Sequence, residues 1–231
     1  MIILAVDTAT SSGGVAVYDD ATGEMSECRT GAVKRQFSES IFEMIDLCLR
    51  NMGLTINEID CLAVTSGPGS FTGLRVGLST VKGLAYSTGK PVVAVSTLLA
   101  HAWVFPGYQG YVCPILDARK KEVYSGLFEW NGDDFRIVFE PGAYTIDEVL
   151  RHVNKSTLFL GDGLKVYRQE IESKTGDKAR FAAGSMFSSF PSIVARLASR
   201  KAAGGEYTDP AALSPAYFRK SEAELKTSAD I

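Results

Sequence analysis

A chain of 231 residues, 45% apolar and 22% charged, is long enough to bury a sizeable core without disulfides or metals. Its formal net charge of −3 lacks the basic excess of a dedicated nucleic-acid binder. Its four cysteines, Cys28, Cys48, Cys61 and Cys113, make no CxxC pair, and no apolar run approaches the roughly 20 residues that span a bilayer, so the expectation is a cytoplasmic protein with reduced thiols and no membrane contact.

Residues 2–8 form a compact apolar run ended by Asp7, too early a charge and with too little basic flank for a signal peptide. Turn clusters at 11–14 and 19–23 separate it from strand candidates at 15–18 and 25–29. A helix follows over 37–52, then a buried strand over 59–65, a Gly-rich turn at 67–69 and a helix over 72–87. A strand at 91–95 and a helical stretch at 98–104 close the first half, and the Pro-, Gly- and Tyr-rich segment 105–110 marks a boundary.

The pattern then restarts. Strands are predicted over 111–117, 122–130 and 135–139, and a helix over 146–153 that opens on a capping box of Thr145 and Glu148. A strand at 157–160 leads into a second Gly turn at 161–163 and a helix from Leu164. The last helix is predicted over 191–203, with Pro191 where a missing N–H is harmless. Asp7 and Asp117 take matching places, as do the two Gly turns. Such a duplication implies an α/β protein of two similar lobes, 1–105 and 106–231, each with a mixed sheet and helices. This is the element order of the actin-like, ribonuclease H-like (ASKHA) class.

The strongest local signal is Thr65-Ser66-Gly67-Pro68-Gly69-Ser70-Phe71-Thr72-Gly73-Leu74-Arg75, between a strand and a helix. Free N–H groups there can hold an anion, with Asp7, Thr8, Gly67, Pro68, Gly69 and Ser70 as candidate groups. The run has neither the P-loop ending nor the dinucleotide-fingerprint spacing. Glycines also serve tight turns and close packing, and composition leaves both readings open. The helix that follows carries Gly73, Gly77 and Gly83, each costing about 1 kcal/mol relative to Ala. Gly73 and Gly77 share a face that lets another backbone approach: a neighbouring helix, the sheet, or another chain.

The helix before it is unusually apolar. Phe37, Ile41, Phe42, Met44, Ile45, Cys48, Leu49 and Met52 fill an arc of about 160°, where a one-sided stripe needs about 100°. Such a helix either sits deep or covers its own sheet and a partner.

Catalytic equipment is sparse. His101 and His152 are far apart in sequence and form no metal pair, and no Gly-x-Ser-x-Gly nucleophile motif occurs. Asp7 either holds a metal–phosphate at a strand end or organises the turn that follows it. With Asp117 it would serve the alternative reading, a nucleotide-dependent phosphotransferase of the same fold class.

The opening Ile3-Leu4-Ala5-Val6-Asp7-Thr8-Ala9, the Gly-Pro-Gly-Ser-Phe-Thr-Gly run, Val95-Ser96-Thr97, Leu116-Asp117-Ala118-Arg119 with Glu122-Val123-Tyr124, and Pro215-Ala216-Tyr217-Phe218-Arg219 together resemble the TsaB (YeaZ) family. The resemblance implies an actin-like fold and a non-catalytic subunit of the complex that transfers a threonylcarbamoyl group to adenosine in tRNA. It implies a larger metal-bearing TsaD-like partner, a TsaE-like ATPase, ATP and Mg used by the complex and no cofactor or metal held by this subunit. tRNA would be met only as part of the complex, and a homodimer is also open. It places the partner surface on the two first-lobe helices. On the first these are Phe37, Ile41, Phe42, Met44, Ile45, Cys48 and Leu49; on the second, Gly73, Val76, Gly77, Thr80, Gly83 and Leu84. Phe37 stands where many members carry His. A charge at Ile41 is expected to abolish pairing while the lobe still folds.

Overall fold

The computed structural model describes residues 1–30, 37–183, 190–216 and 218, without the side chains of 37–39. Tyr217 and Arg219 of the late motif lie outside them, as does the Phe37 side chain.

The described chain forms two compact units, the first comprising 1–104 and the described part of 187–215. Its sheet has the order β3-β2-β1-β4-β5, built from β1 (Ile2–Asp7), β2 (Gly14–Asp19), β3 (Met25–Arg29), β4 (Cys61–Gly67) and β5 (Val92–Ser96). β1, β2 and β3 pair antiparallel, while β4 runs parallel to β1 and β5 parallel to β4. The side-chain period of two sends alternate residues to opposite faces. Leu4 and Val6 of β1 meet helices α1 (Phe37–Asn51) and α2 (Phe71–Thr88), whereas Ile3 and Ala5 meet α6 (Pro191–Ala203) and its neighbour α3 (Thr97–Ala102). Both faces are therefore buried, which is why β1 and β4 read as continuous apolar runs.

The second unit repeats the plan with the order β10-β9-β6-β7-β8. Here β6 (Tyr111–Arg119), β7 (Glu122–Trp130) and β8 (Phe135–Tyr144) pair antiparallel, and β9 (Thr157–Leu160) and β10 (Ala179–Phe181) extend β6 in parallel. Helices α4 (Ile146–Leu150) and α5 (Leu164–Thr175) pack beside one another.

Three expectations change. First, α6 follows the second half in sequence but packs on the first sheet. Its Val194, Ala195 and Ala198 lie in one cluster with Ile3, Ala5, Ala16 and Ala63, so a small-residue helix face meets a small-residue sheet face. The division at 105/106 accordingly marks where the chain leaves the first unit, to which it later returns. Second, β8 continues past residue 139 through Pro141. It is an edge strand, where an absent N–H costs no ladder bond, and register shifts against β7 absorb the irregularity. Third, β10 is an additional strand of three residues, too short to show a period.

Candidate functional site: the strand-end aspartate and the outer face of two helices

Asp7 is 1% exposed at the end of β1. Its Oδ1 accepts from Ala9 N at 3.2 Å and Thr65 Oγ1 at 3.0 Å, and its Oδ2 accepts from Phe190 N at 2.8 Å. One carboxylate thus fixes the turn after β1, the neighbouring strand β4 and the entry to α6. The two readings of Asp7 part here: both oxygens serve the fold.

The Gly-rich run is explained by the same turn. Ser70 donates its N–H to Ala9 O at 2.7 Å and caps α2 through Oγ, which accepts from Gly73 N at 3.3 Å. Thr8 Oγ1 donates to Gly73 O at 2.7 Å. A Cβ on Gly69 would stand 2.2 Å from Ala9 O, one on Gly73 2.1 Å from Thr8 O, and one on Gly77 2.3 Å from Thr8 Oγ1. All three glycines are required because α2 lies directly on the backbone after β1. Gly67 adds a φ of 121°, in the region that favours glycine, and Gly67 and Pro68 are both buried. The approaching backbone is the chain's own.

Asp117, its counterpart, is exposed, accepting from Arg119 N at 2.8 Å. His101 is buried, with Nδ1 2.7 Å from Thr97 O and its ring edge-on to Phe190 at 5.0 Å. His152 stacks on Phe139 at 4.0 Å. Among the described residues no group of three His, Cys, Asp or Glu could hold a metal ion, and no helix is long and apolar enough to cross a membrane.

The open feature is the outer side of α1 and α2. A groove of about 500 Å³ runs between them, lined by Ile41 and Phe42 from α1 and by Phe71, Thr72, Arg75, Val76, Ser79 and Thr80 from α2. Phe42 is 59% exposed and Phe71 38%. The Arg75 guanidinium stands 3.7 Å from the Phe71 ring centroid, a cation–π pair that holds the ring at the rim. Farther along α2, Gly83 would meet nothing within 4 Å and Tyr86 is largely exposed.

This geometry divides the expected partner surface. Ile41, Met44, Ile45, Cys48 and Leu49 are buried in their own lobe against the sheet, and Gly73 and Gly77 are buried against Thr8. The wide apolar arc of α1 is mostly core, with Phe42 at its rim. Phe42, Val76, Thr80, Gly83 and Leu84 remain at least partly exposed, and Val76 and Thr80 line the groove with Phe42. Ile41 reaches the groove floor but is 1% exposed, so a charge there strikes the core. Phe71, Arg75 and Tyr86 were not expected at this face. The signal available for them was Phe71 and Arg75 four apart on a helix, an aromatic and a cation placed to meet.

Comparison with known proteins fits this architecture. The family model described as TsaD, tRNA N6-adenosine threonylcarbamoyltransferase, matches residues 31–225. The tRNA threonylcarbamoyladenosine biosynthesis protein TsaB of Bacillus subtilis is 32% identical, over 98% of this chain and 97% of that protein. Its Escherichia coli counterpart is 31% identical, over 72% of this chain and 74% of its own length. The solved structure of YeaZ from Pseudomonas aeruginosa superposes with a TM-score of 0.79 at 24% identity, covering 94% of this chain and 99% of that one, which shows a common actin-like fold.

Proposed function

Because the chain belongs to the TsaB family of tRNA threonylcarbamoyladenosine biosynthesis, within the wider TsaD-type family, we propose that it is a non-catalytic subunit that binds and activates a TsaD-type transferase. The observation that carries this reading is the α1/α2 groove with Phe42 and Phe71 at its rim. Exposed aromatic rings flanking an arginine are the composition of interface anchors. Burying one phenyl ring from water contributes roughly 1.5–3 kcal/mol, and these two rings are only partly covered by their own lobe. A second observation supports the non-catalytic part: Asp7, the carboxylate best placed for chemistry, is committed to backbone and hydroxyl donors of its own lobe.

On this reading the transferred group, ATP and Mg belong to the assembled complex. A TsaE-type ATPase is a third member, and tRNA is met in the cytoplasm through the complex. Self-pairing through the same face is the outcome when the catalytic partner is absent.

The test is reconstitution. The TsaD-type protein of the same organism is assayed for threonylcarbamoyl transfer to tRNA with the remaining components, with and without this chain. Transfer is expected to rise when the chain is added and to be absent when the chain replaces the TsaD-type protein. Transfer by the chain without that protein would overturn the proposal.

A further inference from the structure

Two of the four thiols lie together, and the function above uses neither. Cys28 is on the edge strand β3, paired in register with Val15 of β2. Residues directly opposite in an antiparallel pair have Cα atoms about 4.5–5.5 Å apart. Cys48, on α1, donates its Sγ–H to the carbonyl of that same Val15 at 3.6 Å. The Cys48 sulfur is therefore placed over the residue beside Cys28. Both cysteines belong to the cluster between the sheet and α1, so the Cys28 side chain faces the helix. Cys28 is half-buried and Cys48 fully buried. Burial pushes the Cys48 thiol up to about 11; a Ser26 hydrogen bond pulls it back, the charge of the neighbouring Cys28 side chain pushes it up, and the Cys28 backbone amide partly offsets that.

We propose that Cys28 and Cys48 form a reversible intramolecular disulfide, made by exchange with a low-molecular-weight disulfide that enters at the half-buried Cys28. The Cys28 thiolate attacks one sulfur of the small disulfide, a mixed disulfide forms, and one small thiolate leaves and takes up a proton. Cys48 then loses its proton, its thiolate attacks the Cys28 sulfur, and the second small thiolate leaves. Two protein thiols are oxidised to one disulfide, and the small disulfide is reduced to two thiols. The bridge ties α1 to the edge strand β3. A consequence for docking at Phe42 rests on the function proposed above; the bridge itself does not.

The other two cysteines serve as internal controls. Cys61 lies in the cluster on the α6 side of the sheet, and Cys113 lies buried beside Ser125 of the second unit. Burial pushes their thiols up to about 11 and about 12.

The test treats the folded full chain with glutathione disulfide and reads intact mass and a non-reducing peptide map. The expected result is a product lighter by two hydrogens, with the Cys28 and Cys48 peptides joined and released by dithiothreitol. Cys48→Ser is expected to stop at a glutathione adduct on Cys28, and Cys28→Ser to leave Cys48 unmodified. Should Cys48→Ser fail to fold, the wild-type map and Cys28→Ser, on an edge strand, still decide the matter. A wild-type chain that keeps a stable glutathione adduct on Cys28 with Cys48 free, that stays fully reduced, or that joins Cys28 to a second chain overturns the proposal.

Discussion

In the first lobe β1 ends in an aspartate sealed into the fold, and Gly69, just before α2, with Gly73 and Gly77 within it, rests on the turn behind it. In the second lobe β6 carries Asp117 to the surface, where it caps a hairpin turn. The Gly turn there is also close-packed: a Cβ on Gly161 would stand 2.4 Å from Ile115 O. The strand order is common to both lobes, but what is laid on it differs. The first sheet is covered on both faces, by α1 and α2 on one side and by α3 and α6 on the other. Among the described residues the second lobe carries two α-helices, α4 and α5, against four in the first, and its edge strand β8 leaves Ile137 half exposed. A duplicated plan thus constrains topology, while the side chains decide which copy is tightened at its strand end and which presents an aromatic helix face.

The sharpest way to break this contrast is Gly73→Ala. The new methyl would meet Thr8 O at 2.1 Å, so despite a helix-propensity gain of about 1 kcal/mol a net loss of about 2–3 kcal/mol is expected in urea unfolding. A neutral result would mean that α2 does not rest on the β1 turn. Next comes the aspartate pair. Asp7→Asn turns one acceptor of a buried, fully engaged carboxylate into a donor, with an expected loss of about 2 kcal/mol. Asp117→Asn, at an exposed turn, is expected to change stability by less than about 0.5 kcal/mol. Equal effects would erase the difference between the lobes. A modest gain is expected on the outer side of α2: Gly83→Ala fills open space there and is expected to stabilise by about 0.5–1 kcal/mol in thermal unfolding. If the same variant also weakens pairing, Gly83 marks a close approach by the partner.

Much of this was legible in the sequence. The strand–turn–helix order, both Gly turns and the matching Asp7 and Asp117 gave the duplication, because apolar period and turn residues are local signals. Allegiance is not local. The period of α6 gives it an apolar face but not the sheet that face meets, and small residues on both surfaces decided that. The stripe of Gly73 and Gly77 announced a close backbone without saying whose, and it proved to be Thr8. The apolar arc of α1 merges core and rim, so its pattern does not separate Ile41 and Cys48, which are buried, from Phe42, which is presented to solvent. Phe71 and Arg75 are not marked by apolar period or turn chemistry, because their value lies in the ring and the guanidinium meeting above the groove.

The measurement that bears most directly on the proposed role is a binding titration of the TsaD-type protein with wild-type chain and with Phe42→Glu, checked by sedimentation. Phe42 is 59% exposed, so its own lobe should unfold as the wild type does, while a charge in the groove should weaken pairing by about 100-fold or more. Wild-type affinity in a folded Phe42→Glu variant would contradict the placement of the partner on α1 and α2.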